Sequence, residues 1–169
     1  FEAGISEMGE MEALQSIIRP TIGVLTNIGG AHQENFYSVP DKCMEKLTLF
    51  KECDVVIYDG DNELISSCVG KSLFGAREIA WSKTDNERPL YISSIEKGET
   101  STTIRYRYLG MPNEYTIPFI DDASIENSLH CLAVCLYMML PAEKITERMA
   151  HLEPIAMRLE VKKKKNGCV

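Results

Sequence analysis

Residues 21–36 read TIGVLTNIGGAHQENF, and their first seven decide the fold. The run 21–27 is short and almost continuously apolar, the pattern of a strand covered on both faces in a parallel sheet. Gly29 and Gly30 follow, where the backbone is expected to turn tightly, and the loop they open carries His32 and Glu34. Before the run, Met8, Met11, Leu14, Gln15 and Ile18 recur at helical spacing, and Pro20 ends that helix. After it, Pro40 suits a helix start and Asp41 places negative charge in the first turn of a helix reaching about residue 50.

The alternation continues with a strand at 54–58 (DVVIY), a turn at 59–62, a helix to about residue 74 and a strand near 78–81. Strands alternating with helices through short connections indicate an α/β fold with a mostly parallel sheet flanked by helices. Residues 89–118 differ. The β-type runs at 90–95, 102–108 and 115–119 are separated by turns at Lys97-Gly98 and at residues 110–113, which reads as a small antiparallel β meander. A long helix is expected over 125–140, with Ile125, Leu129, Leu132 and Leu136 on one stripe. A second helix follows Pro141, and an extended segment begins at Arg158.

With 44% hydrophobic and 25% charged residues, the 169 residues have the composition of a globular domain. A net charge of −7 argues against nucleic acid as a partner, because phosphate backbones are held by Lys and Arg. The basic run at residues 162–165 is read as a solvated edge. No apolar run approaches the length that spans a bilayer, so no membrane partner is expected. Six cysteines form no C-x-x-C pair, and Cys131 and Cys135 sit one helical turn apart, so free buried thiols and a cytoplasmic setting are expected. FEAGISEMGE lacks the features of a signal peptide and reads as a strand end entering a loop.

Three features could carry chemistry. Glu2 ends an apparent strand, where α/β folds bind ligands, although one carboxylate is weak evidence. In NIGGAHQENF, a strand delivers Asn27 to a loop with His32 and Glu34, residue types that hold cations against phosphates; a solvated loop histidine is the plainer alternative. Asn127 begins the long helix beside Glu126, and Arg158 follows Pro154. Asn can pair with an adenine edge and Arg with phosphate, but a helix cap and a surface ion pair would explain them equally. His130 and His151 lie on helices and read as structural.

Taken together, GEMEALQSIIRPTIGVLTNIGGAHQENF and the motifs after it resemble the Mur ligases, ATP-dependent amide-forming enzymes of cell-wall synthesis. GEMEALQ points to the branch that adds D-alanyl-D-alanine to UDP-N-acetylmuramoyl-tripeptide, and to a bacterial subgroup fused to an alanine racemase. The resemblance implies a P-loop NTPase-like central domain, with ATP and Mg2+ as cofactors. It makes Glu2 a magnesium ligand and His32 the ligand of a second magnesium. Lys46, otherwise a solvated helix residue, matches a lysine that is carbamylated in related ligases and then reaches toward metal. Asp61 matches an acidic turn position near the nucleotide, Asn127 the adenine contact and Arg158 a phosphate contact. Asn27, delivered by the strand, is expected among the cofactor-binding residues.

There are departures. Ala123-Ser124 replaces a frequent His-Asn, Asp59 stands where Asn is usual, and no G-x-x-x-x-G-K-[ST] loop occurs. The expectation is therefore an incomplete central domain at residues 1–155 and the beginning of a C-terminal domain at 156–169. Such a piece would be inactive alone and prone to self-associate through an exposed sheet edge. The implied reaction runs through an acyl phosphate on the tripeptide carboxylate, attacked by the amine of D-alanyl-D-alanine. Another Mur ligase, a folylpolyglutamate-type synthetase, or a non-catalytic binding module of the same fold are the alternatives.

Overall fold

The computed structural model describes residues 1–72 and 75–153. Helix α1 (Glu10–Ile18) leads to β1 (Ile22–Leu25), a single 3-10 turn (Gln33–Asn35) and α2 (Val39–Thr48). Next come β2 (Val55–Asp59), α3 (Glu63–Ser72), β3 (Arg77–Ser82), β4 (Leu90–Lys97), β5 (Thr102–Tyr108) and β6 (Met111–Ile117). Helices α4 (Asp122–Tyr137) and α5 (Ala142–Met149) close the described chain. The six strands form one sheet in sequence order. β1 to β4 run parallel, and β4 to β6 antiparallel.

The α/β reading therefore holds, and the meander is continuous with the parallel sheet through β4. Along β2, side chains alternate between two cores. Val56 and Tyr58 pack with Met11, Leu47 and Ile65 from the α1–α3 side, while Val55 and Ile57 pack with Leu129 and Leu132 of α4. Each such fully buried aliphatic side chain stabilises the fold by roughly 1.5–3 kcal/mol. β1 does not match its expectation: it is an edge strand, and only Gly23 and Leu25 are buried in its alternating pattern. Gly23 is required by packing, because a Cβ there would lie 2.7 Å from Cγ of Phe50.

Local signals explain the helix ends. Ser38 caps α2 by accepting the Asp41 N–H at 3.2 Å, with Pro40 in the first turn. Arg19 ends α1 in the left-handed region at φ 45°, just before Pro20, which disfavours a helical residue in front of it. Asp121 caps α4 through the Ser124 N–H at 2.8 Å. Asn127 is thus in the second turn of α4 and is not its cap.

The passage from β3 to β4 is unusual, because parallel neighbours normally need a long crossover. Here residues 83–89 suffice, since β4 starts level with the end of β3 and only Trp81↔Leu90 and Ser82↔Tyr91 pair. The chain steps sideways and continues in the same direction.

The second meander turn is tighter than the expected 110–113. Leu109 and Gly110, at φ 48° and 85°, form a two-residue hairpin loop between Tyr108 and Met111, so β6 begins four residues earlier than expected. Cys43, Cys53 and Cys68 are buried free thiols, but Cys131 is exposed and Cys135 half-exposed. Cys131 lies off the stripe that α4 turns to the sheet, while Cys135 packs at its margin against the second core. No helix among the described residues is long and apolar enough to cross a membrane. The expected segment at Arg158, the lysine run and the boundary at residues 155–156 lie outside the described residues.

Candidate functional site

The bare edge of β1 borders a cleft of about 700 Å³. Its apolar wall includes Ile22, Val24, Leu25 and Phe50, and its polar groups include Glu2, Thr26, Lys46 and Asn127. Three of the residues singled out from sequence therefore meet in one cavity, although they lie on the N-terminal segment, on α2 and on α4. The cleft runs the length of β1, from residues 18–21 before it to Thr26 just past its C-terminal end, the end at which parallel sheets hold ligands.

Helix α2 organises this end of the sheet through Lys42, Glu45 and Lys46, whose i, i+3, i+4 spacing puts them on adjoining positions of one face. Lys46 is half-buried, with Nζ 3.5 Å from the Asn27 carbonyl. Burial pushes its ammonium below the ordinary 10.5, and the charge of Lys42 pushes the same way. Both effects favour the neutral amine. Glu45 is buried, and its Oε1 accepts the N–H groups of Gly9 at 2.8 Å and Met11 at 3.1 Å. It thereby satisfies otherwise unpaired donors at the start of α1. Lys42, 3% exposed, donates to the carbonyls of Gly29, at 2.8 Å, and Ala31.

His32 lies on the turn that Lys42 holds. It is exposed, has φ 57°, and does not line the cleft. The left-handed residue of this turn is thus His32 and not a glycine. Gly29 and Gly30 have no positive φ, and a Cβ on either would meet nothing within 4 Å. The expectation that they permit a tight turn is corrected: neither a positive φ nor close packing calls for glycine at these positions. Asn35 ties the turn to the Glu2-bearing segment, its Nδ2 donating to the Ser6 carbonyl at 2.9 Å. Glu10 lies on that side as well. The N–H groups of Ser6 and Glu7 hold its carboxyl low, and His32 contributes a smaller electrostatic effect. Glu34 is exposed.

Asn27 offers its backbone carbonyl to Lys46. Asp61 does not line the cleft. Its carboxylate accepts from Ser82 Oγ, from the Lys83 N–H at 2.7 Å and from Thr84 Oγ1 at 2.7 Å. Burial alone would raise its pKa, but these donors outweigh burial and lower it. Asp61 thus braces the sideways step from β3 to β4. Asp59, pushed up by burial, accepts the Asp61 N–H at 2.9 Å, and Glu126 is raised by burial and by Asp59. Arg158 lies outside the described residues.

The sequence reading missed Lys42, Glu45 and Asn35. The signal for Lys42 and Glu45 was available only as their i, i+3, i+4 spacing with Lys46 on α2, which an amphipathic surface helix would share; Asn35, on the 3-10 turn, carried none. His130 is structural, as expected. It is 2% exposed, its Nδ1 accepts the Trp81 indole N–H at 3.2 Å, and burial pushes its pKa down to about 4. His151 is exposed, with Nδ1 2.7 Å from the Glu147 carbonyl.

Among the described residues, no three His, Cys, Asp or Glu side chains form a metal-binding group. Magnesium does not require one. It typically takes one or two carboxylates and completes its shell with water and phosphate oxygens. Glu2 in the wall of the cleft, with Lys46 in the same wall, fits such a partial donor set.

A family model described as the Mur ligase middle domain matches residues 1–135. The UDP-N-acetylmuramoyl-tripeptide–D-alanyl-D-alanine ligase of Bacillus subtilis (strain 168) is 30% identical over 174 residues, covering 99% of this chain and 35% of that protein. The protein of the same name from Borreliella burgdorferi is 25% identical over 148 residues, covering 87% of this chain and 31% of its own length. Among solved structures, MurF from Acinetobacter baumannii superposes with a TM-score of 0.83 at 17% identity, over 98% of this chain and 36% of that one. MurF ligase from Thermotoga maritima, in complex with ADP, gives 0.77 at 18% identity, over 95% and 37%. The chain spans about a third of the length of these relatives. On the family match through residue 135, and with the same fold in these solved structures, the chain belongs to the Mur ligase family through its middle domain.

Proposed function

We propose that this chain is the nucleotide-holding part of a cytoplasmic, ATP- and Mg2+-dependent ligase that joins D-alanyl-D-alanine to UDP-N-acetylmuramoyl-tripeptide in peptidoglycan synthesis. The observation that carries the reading is the shared cleft of Glu2, Lys46 and Asn127, three residues far apart in the chain. In this reading, residues 1–155 are central domain and residue 156 begins the C-terminal domain.

The chemical difficulty is charge, since an anionic carboxylate must approach an anionic γ-phosphate. Magnesium supplies the charge neutralisation and stabilises the transferring phosphoryl group. Glu2 and His32 are the side chains that would hold it. Lys46 opposes cation binding as an ammonium, and its depressed pKa favours the amine that can add to carbon dioxide. A nitrogen–carbon bond then forms, a proton leaves to water, and the side chain becomes anionic. Asn127, in the second turn of α4, would pair with the adenine edge, and Arg158, outside the described residues, would pair with the phosphates. Asp61 serves the nucleotide indirectly, by bracing the backbone between β3 and β4.

Phosphate release by the full-length protein tests this reading. Release should require ATP, Mg2+, the UDP-muramoyl-tripeptide and D-alanyl-D-alanine together. If another amino acid replaces the dipeptide with equal effect, the acceptor is wrong; if nothing is released with any acceptor, the ligase reading fails. The parent sequence would also show whether a racemase domain follows.

A further inference from the structure

The connection from β1 to the 3-10 turn carries His32 but has little backbone support. Among the described residues, amides 28–32 donate no backbone hydrogen bond, and the first local bond is Gln33 N–H to the Gly30 carbonyl at 3.2 Å. Open glycines at 29 and 30 add conformational freedom. A lysine side chain at 3% exposure is rare without partners. Lys42 has them, all on this loop or just beyond it: the carbonyls of Gly29 and Ala31, and the face of Phe36, whose ring centroid is 5.5 Å from Nζ. The two carbonyls bracket Gly30 and immediately precede His32. Lys46 lies one helical turn further along the same helix and reaches the Asn27 carbonyl at the start of the loop.

We propose that Lys42 is a positioning residue for the His32 turn, its buried ammonium fixing the Gly29–Ala31 backbone and so setting where His32 stands relative to Lys46. Surface burial alone would not require this arrangement, because an apolar side chain on α2 could pack against Phe36 just as well. What only an ammonium supplies is several donors from one atom, able to gather carbonyls from a segment that makes no ladder of its own. The link to cation binding rests on the ligase reading above; the link to loop order does not.

The test uses the full-length protein and three variants. Lys42→Met keeps the length and removes the donors, Lys42→Gln keeps donors without charge, and Lys42→Arg keeps both with a different shape. Hydrogen exchange of amides 33, 35 and 36, which donate the local hydrogen bonds of the turn, is measured first, with no ligand present. Lys42→Met is expected to lose protection there about tenfold or more, with Lys42→Gln intermediate and Lys42→Arg nearest the parent. The MgCl2 concentration for half-maximal phosphate release should rise about 10–100-fold in Lys42→Met, the range for groups that orient metal ligands. The KM for ATP at saturating MgCl2 should change by less than about threefold.

Unchanged exchange at amides 33, 35 and 36 in both Lys42→Met and Lys42→Gln would overturn the positioning role, whatever the activity. Altered exchange with an unchanged MgCl2 midpoint would overturn its connection to the cation. If Lys42→Met does not fold, Lys42→Gln against Lys42→Arg decides by the same two readouts. Failure of the ligase reading itself would show separately, as absence of Mg2+-dependent phosphate release from the parent protein.

Discussion

β1 and β6 are the two edges of one sheet, and they are finished in opposite ways. β6 is seven residues long and pairs with β5 along its whole length through a two-residue turn. Its solvated face carries a ladder of polar pairs: Thr103 with Thr116 at 3.1 Å, and Arg105 between Glu96 and Glu114. From the other side, Thr146 of α5 donates to the Glu114 carbonyl at 3.0 Å. β1 has four residues, half-buried Ile22 and Val24, and a cleft beside it. The contrast shows how one sheet divides stability from ligand access. Local hairpin pairing and charge close one edge, while the other is held by side chains from α2 and α4 and stays open.

Substitutions at three positions probe that division. The largest effect is expected at the open edge, where Lys46→Ala in the full-length protein should lower kcat about 100–1000-fold, the scale of losing one charge-stabilising group. Lys46→Arg should not restore activity, because a guanidinium cannot take up carbon dioxide. The urea midpoint of both variants should stay near that of the parent. A large stability loss with intact turnover would show that Lys46 belongs to the scaffold.

His130 lies between the two edges, linking Trp81 in the second core to the end of β1, and predicts a pH effect. Its folded pKa of about 4 is below the ordinary 6.5. Below pH 6.5 the unfolded chain therefore takes up a proton that the folded chain refuses until about pH 4. Stability present above pH 6.5 is lost progressively as the pH falls toward 4, by up to about 3 kcal/mol from this residue. Comparing urea midpoints at about pH 7.5 and about pH 5 should show the drop, and His130→Phe should remove most of the difference. An equal drop in the variant would assign the acid sensitivity elsewhere.

The smallest effect is expected at the closed edge. Arg105→Ala removes two exposed ion pairs, each of little worth in water, and should leave the urea midpoint near that of the parent without changing kcat. A large fall in the midpoint would mean that the ladder, and not the core beneath it, keeps β5 and β6 paired.

Much of this molecule was legible before any coordinates. Strand–helix alternation through residue 82 follows from hydrophobic period, and the end of α1 and the start of α2 from Pro20, Pro40 and Asp41, because these signals act within a turn or two. Cys131 and Cys135 were misjudged for a related reason: an apolar stretch identifies a helix, but which flank meets the sheet depends on partners distant in sequence. The hairpin turn was placed late because Leu109 adopts a left-handed conformation that its residue type does not advertise.

The site divides along the same line. Chemistry-bearing residues such as Glu2, His32, Lys46 and Asn127 can be picked out by motif, since their type is what the motif specifies. That Glu2, Lys46 and Asn127 share a cleft, that His32 stands outside its lining, and that Asp61 is occupied by Ser82, Lys83 and Thr84 were decided only by tertiary structure. Backbone period and capping are local properties of a chain. A cavity wall, a buried ammonium among carbonyls and the fate of a carboxylate are set by groups that meet only when the chain closes on itself.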